Sequence, residues 1–207
     1  TALLINIVKE DDEDDTLFHE RLNLYVKAVE KHNKMIDENP YYDSGFDIYQ
    51  PHMPEAKREL INGTYKIGLG IKGAMYSFNT NVNSENLVML FTQKINTYLN
   101  SGYITPEPYQ IFPRSSIYKK SFRLANSTGI IDTGYRGNLG ALIDNNMAYA
   151  YNKSENPSKQ DFSKNKLIPH ERYFQICKPD LKRFKVYIVE NLPSTSRGEG
   201  GFGSTGK

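Results

Sequence analysis

The chain has 207 residues, with 26 Lys and Arg against 24 Asp and Glu, a net charge of +2 and 38% apolar residues. That length suits one domain with a sizeable core plus an appendage, and so balanced a charge sets up no global field to hold nucleic acid. The chain has no apolar run of about 18 residues and no apolar signal-type stretch at its start, and its one cysteine, Cys177, reads as a small buried hydrophobe, so a soluble, intracellular protein without membrane contact is expected.

Residues 1–8 read as a short apolar strand or arm, and residues 10–15, six acids in a row, as a solvated loop, because neighbouring carboxylates repel one another. Thr16 opens a helix in which Leu22, Tyr25, Val29 and Ile36 recur at near-helical spacing until Asn39-Pro40 stops it. From Phe46 the texture changes to short β-rich segments broken by Gly, Pro and Asn, residues 63–72 and 185–189 among them, which predicts an all-β sandwich or barrel. Two insertions interrupt it. Between Asn83 and Asn100 an apolar stripe of Leu87, Leu90, Phe91, Ile95, Tyr98 and Leu99 predicts a helix, and residues 147–166 read as a polar loop. The chain thus divides into an N-terminal arm and helix (1–40), a β domain (41–193) and a glycine-rich tail (194–207).

The last eleven residues carry five glycines, Arg197, Phe202, Ser204 and Thr205, a composition no core requires. Glycine lets backbone N–H groups close around phosphate oxygens, the hydroxyls add donors, a guanidinium forks onto phosphate, and a phenyl ring offers a face to a nucleobase. These groups together describe a nucleotide. A plain flexible Gly/Ser tail is the alternative on composition alone.

Four further segments precede the tail in order: Asp43-Ser44-Gly45-Phe46-Asp47-Ile48-Tyr49; Pro113-Arg114-Ser115-Ser116-Ile117-Tyr118-Lys119-Lys120; the stretch from Asn126-Ser127-Thr128-Gly129 through Asp132-Thr133-Gly134-Tyr135-Arg136-Gly137 to Asn138-Leu139-Gly140; and Arg172-Tyr173-Phe174-Gln175-Ile176. With the tail they resemble the five ordered motifs of the trimeric dUTP pyrophosphatases (dUTPases), from about Asp43 to Lys207. The resemblance implies a distorted jelly-roll β-barrel or sandwich assembling as a homotrimer. It also implies sites shared between subunits, the tail of one closing the site of another as a lid that orders on nucleotide. It implies hydrolysis of dUTP to dUMP and pyrophosphate with Mg²⁺ on the triphosphate.

The residue roles follow the same resemblance. Asp132 matches the carboxylate that activates water, and Gln175 the amide that helps hold that water, although His170-Glu171 and Phe174 depart from the usual fourth motif. Asn126, Gly129 and Gly140, on a β-hairpin turning near Gly134, match the groups that read uracil, and Tyr135 the ring that excludes a 2′-hydroxyl. Arg114, Ser115 and Ser116 with Arg197, Gly203, Ser204 and Thr205 would bind phosphates, Phe202 would close over the base, and Asp47 would approach Mg²⁺ through water. His19, His32, His52 and His170 lack metal-ligand spacing and are assigned to surface or packing.

Two rivals stand beside this reading. A dCTP deaminase shares the Arg-Ser-Ser stretch and the third motif, but places a glutamate where Leu142 stands. A nucleotide-sensing protein of the dUTPase type would use the extra helices as a partner surface. Insertions between motifs resemble those of dUTPases from large DNA viruses.

Overall fold

The computed structural model describes residues 1–79, 99, 102–146 and 162–201. The helix expected over 83–100 and the polar loop expected over 147–166 therefore fall almost wholly outside the described residues, apart from Leu99 and a 3₁₀ turn at Phe162–Asn165.

The apolar run Ala2–Ile7 forms strand β1, which is covered on both faces. Alternation explains the run: Leu3 and Ile5 enter the main core, while Leu4 joins a second cluster with Ala74 and Tyr76. Helix α1 (Asp15–Glu38) follows. The carboxylate of Asp14 caps it by accepting from the backbone N–H groups of Thr16 and Leu17, and it ends at Asn39 ahead of Pro40. Then come β2 (Gly45–Tyr49), the short α2 (Glu55–Arg58), β3 (Gly63–Gly68), β4 (Ile71–Phe78), β5 (Ile104–Glu107) and β6 (Tyr109–Pro113). After a 3₁₀ turn at Ser115–Lys119 the chain continues with β7 (Phe122–Leu124), β8 (Gly129–Ile131), β9 (Gly140–Asn145), β10 (Arg172–Cys177) and β11 (Lys185–Ile188).

The strands build three open sheets in the orders β11-β1-β4-β5, β2-β10-β6-β8 and β3-β9-β7. The fold is all-β with one long helix, and among the described residues it is a sandwich of open sheets rather than a closed barrel. The main core is shared by all three sheets, with Ile5, Ile71, Ile111, Phe122, Ile143, Phe174 and Val186 each almost fully buried. Each such side chain contributes about 1.5–3 kcal/mol of transfer free energy. Cys177 is buried in β10, and burial pushes its thiol up to about 11, in keeping with a packing role.

Helix α1 lies along β11 and β2. Its Asn33 amide donates to the Val186 carbonyl at 2.8 Å and accepts from the Val186 N–H at 2.8 Å, which covers the open edge of β11. His32 packs against Phe46 and Phe184, with Nε2 3.0 Å from the Phe184 carbonyl.

The acidic run departs at Glu13 from the solvated loop expected of it, while Asp11, Asp12, Asp14 and Asp15 are exposed. Glu13 is 3% exposed, and its carboxylate takes both Arg21 Nε (2.8 Å) and Nη2 (2.6 Å). Arg21, fully buried, spends its remaining donors on the carbonyls of Gly70 (2.9 Å) and Val8 (2.8 Å). Burial alone would raise the Glu13 carboxyl, but the hydrogen bond and charge of Arg21 and the N–H groups of His52 and Glu10 outweigh it and hold the carboxyl below its ordinary value. Gly70 makes the β3–β4 turn at φ +60°, where a side chain would also strike the Arg21 guanidinium. Asp12 and Asp15 pair with Lys57 and Lys9, and Glu10 reaches Asn138 at 2.6 Å. Repulsion along the run is thus relieved by a separate partner for each of these acids.

Candidate active site

A cleft of about 210 Å³ opens where β8 and β9 part. Its walls carry Asn126, Gly129, Asp132, Tyr135, Gly140, Leu142, Arg197 and Gly201. The hairpin expected here is not a paired ladder. β8 bonds only to β6, and β9 bonds to β3 and, through residues 143–145, to β7. Among the described residues the side of β8 away from β6, and residues 140–142 of β9 on the side away from β3, have no partner strand, although the Leu142 carbonyl accepts from the Ala125 N–H at 2.8 Å; such open edges are the equipment for reading the edge of a planar polar ring.

The turn that joins the arms is closed by the Tyr135 N–H donating to the Asp132 carbonyl at 3.0 Å. Asp132 is exposed at its tip, and Arg197 Nη1 lies 2.7 Å from its Oδ2. The Tyr135 hydroxyl donates to the Asn138 carbonyl at 2.9 Å, which fixes the ring along the cleft wall. Burial raises the Tyr135 phenol above its ordinary value, the Glu199 charge adds to this, and Arg197 opposes it.

The tail begins on this same turn. Thr195 Oγ1 donates to the Gly134 carbonyl, the Arg136 N–H to the Gly198 carbonyl at 2.8 Å, and Lys72 pairs with Glu199 at 2.5 Å. Gly201 lies flat on the Tyr135 ring, where an added Cβ would come within 2.9 Å of Cε2. Through Gly201 the tail therefore packs on its own chain, held by side chains outside it that its glycine content does not reveal. Phe202, Gly203, Ser204 and Thr205 lie outside the described residues.

The remaining site residues gather elsewhere. Asp47 and Gln175 are cross-strand neighbours on β2 and β10. Asp47 Oδ1 pairs with Arg114 Nε at 2.7 Å and Oδ2 with Arg172 Nη1 at 3.0 Å. Burial raises the Asp47 carboxyl, and the two guanidinium charges only partly offset this. Gln175 Nε2 donates to the Pro113 carbonyl at 3.4 Å. Ser115 and Ser116 open the 3₁₀ turn just after Arg114, and Ser115 is exposed. Arg172 has no role in the motif reading. Its place at the head of the fourth segment was the available signal.

Strand register separates the two groups. Tyr109 is opposite Ile131 and Ile111 opposite Gly129, so Asp132 sits about six residue steps, or about 20 Å, from Arg114 along the β6–β8 ladder. Gln175 is opposite Phe112, about four steps along and two strands across from Asp132, or about 16 Å away. Within one chain these two do not hold the same water. Among the described residues no three His, Cys, Asp or Glu side chains cluster as metal ligands.

An all-β sandwich with a polar cleft between parted strands and a C-terminal arm folded onto it is the class that the geometry defines. No protein-family model matches the chain. It is 40% identical over 98 residues to the deoxyuridine 5'-triphosphate nucleotidohydrolase of Thiobacillus denitrificans, covering 47% of this chain and 58% of that protein. It is 34% identical over 105 residues to the protein of that name from Fusobacterium nucleatum (49% and 62%) and 36% over 97 residues to that of Variola virus (47% and 55%). The chain is thus similar to these dUTPases, and it spans little more than half the length of the curated relatives it matches. A Staphylococcus bacteriophage 80alpha dUTPase with dUpNHpp aligns over 99% of this chain and 98% of its own at 18% identity, with a TM-score of 0.35, too low to bear on fold or function.

Proposed function

We propose that the chain hydrolyses dUTP to dUMP and pyrophosphate. The observation that carries this reading is the cleft between the unpaired edges of β8 and β9, with Asp132 at its mouth and the Tyr135 ring along its wall. Uracil enters between the strand edges, where backbone groups and the Asn126 amide meet its polar edge as a pairing base would, and cytosine presents the reversed donor and acceptor pattern. The deoxyribose lies against Tyr135, leaving no space for a 2′-hydroxyl. Asp132, an exposed carboxylate, takes the proton from the water that attacks the α-phosphorus, and Arg197 turns from Asp132 to the phosphates as they arrive.

The phosphates also need Arg114, Ser115 and Ser116, and the water needs Gln175, all of them about 16–20 Å from Asp132 within one chain by strand register. A second copy brings them in. This separation supports a symmetric assembly, a homotrimer in the family manner, whose sites combine the cleft of one subunit with the Asp47–Arg114–Arg172–Gln175 cluster of another. Mg²⁺ belongs to this reading as a neutraliser of phosphate charge. Each Asp47 oxygen already faces a guanidinium, so Asp47 fits the ion only through water, and triphosphate oxygens and water supply the rest of its shell. Phe202 closes over the base, and Gly203, Ser204 and Thr205 close over the phosphates.

Leu142 on the cleft wall has no proton to shuttle, which weighs against dCTP deamination. A nucleotide-sensing role without turnover is the other rival. Pyrophosphate release from dUTP, compared with dCTP, dTTP and UTP, tests all three. Release from dUTP alone is expected, and binding without release would overturn the hydrolase reading.

A further inference from the structure

Arg136 is the one cation of the third motif and has no role in the reaction as drawn. It is 8% exposed, and among the described residues no carboxylate pairs with it. Its guanidinium is spent on neutral oxygens: Nε donates to the Pro193 carbonyl at 2.8 Å, Nη1 to the carbonyls of Thr133 (2.9 Å) and Tyr135 (2.8 Å), and Nη2 to the Tyr76 hydroxyl at 3.0 Å. Its backbone N–H adds the bond to the Gly198 carbonyl at 2.8 Å. A buried guanidinium without a counter-ion is costly, and it persists where several dipoles converge on it. The convergence has a pattern. Of the four acceptors of the guanidinium, two belong to the turn that carries Asp132, one is the Pro193 carbonyl just ahead of the tail, and one stands on β4.

We propose that Arg136 is a positioning residue that fixes the root of the tail against the turn, so that Arg197 arrives beside Asp132 and Gly201 on the Tyr135 ring. Five donors in a rigid fork span the turn, the tail and the sheet together, and a lysine ammonium with three donors on a flexible stem does not. Between the two anchored carbonyls, Pro193 and Gly198, the chain makes two further links outward, from Thr195 to Gly134 and, in a partly exposed ion pair, from Arg197 to Asp132. Beyond Gly198 the Lys72–Glu199 pair is exposed and weak. Arg136 is therefore the main restraint on a segment whose glycines otherwise leave it free. This inference rests on the proposed hydrolase reading for its consequence in turnover, but the docking stands on geometry alone.

The test is hydrogen–deuterium exchange on the full chain, followed by mass spectrometry, for the wild type, Arg136→Gln and Arg136→Lys. Peptides spanning residues 193–201 are expected to exchange about tenfold faster or more in Arg136→Gln and to an intermediate extent in Arg136→Lys, with peptides from β1, β4 and β6 unchanged. If Arg136→Gln does not fold, the Arg136→Lys pattern decides. Unchanged exchange in the tail overturns the proposal. So does faster exchange spread evenly over the sheets, which would make Arg136 a residue of the fold at large. In turnover of dUTP, Arg136→Gln and Arg197→Ala are expected to be non-additive, the double variant falling no further than the worse single one, and a full sum of losses overturns the action of Arg136 through the tail. A wild-type chain that releases no pyrophosphate yet shows the exchange pattern refutes the hydrolase reading and leaves Arg136 in its role.

Discussion

Mixing Arg114→Ala chains with Asp132→Asn chains is expected to create activity that neither has alone. The register of β6 and β8 places these residues about 20 Å apart in one chain, too far to act on the same phosphate group, so on the proposed reading each site takes one from each of two subunits. The Asn variant keeps the shape of Asp132 and loses the proton acceptor, a loss of about 10²–10⁴ in turnover. Removing Arg114 deletes a charge-assisted phosphate contact, about 10–100-fold, while Arg172 still holds Asp47, so the cluster keeps one of its two ion pairs. In every trimer that contains both chains, about a third of the sites combine an intact Asp132 with an intact Arg114 from the neighbour. Activity near a third of the wild type is the expected result, above the mean of the two parents. The assay is pyrophosphate release from dUTP by assemblies co-expressed with two tags and purified on both. Verified mixed assemblies no more active than that mean would show that both residues serve their own chain, and the shared-site reasoning would fail.

Asp132→Asn by itself is expected to bind a non-hydrolysable dUTP analogue while turnover collapses, and to shift unfolding by no more than about 1 kcal/mol, because its ion pair with Arg197 is exposed. Tyr135→Ala is expected to raise UTP turnover relative to dUTP, and an equal fall on both substrates would reduce Tyr135 to a packing residue. Glu13→Gln leaves the Arg21 guanidinium buried without its carboxylate and is expected to cost about 3–5 kcal/mol in urea unfolding, against the near-neutral outcome of a solvated loop. The same pair sets an acid limit. Glu13 is held below its ordinary value in the folded chain, so the unfolded chain takes up the proton first, and stability present above about pH 4.5 is lost as the pH falls from there; a melting temperature flat across that range in the wild type but not in Glu13→Gln would contradict the assignment.

The β texture from Phe46 onward and the helix from Thr16 were legible because each rests on local spacing, of period two or of period 3.6. What was not legible depends on register and on distant partners. Six consecutive acids read as solvated because the run contains no cation, yet Arg21 lies nearly two helical turns into α1 and reaches back to Glu13. The tail read as unrestrained because glycine has no side chain to bond with, yet the bonds come from Arg136 and Thr195, on the turn and just ahead of the glycines. The third motif read as a hairpin because both arms flank a turn, yet its arms were claimed by two different sheets, and the parting makes the cleft. Motif chemistry names groups that belong on one substrate, but which chain supplies each group is decided by the steps along a ladder that separate Asp132 from Arg114 and Gln175. On the proposed reading, a β-sheet that holds the carboxylate of Asp132 and the guanidinium of Arg114 at opposite ends of one strand pair would make association with a second copy a condition of the reaction.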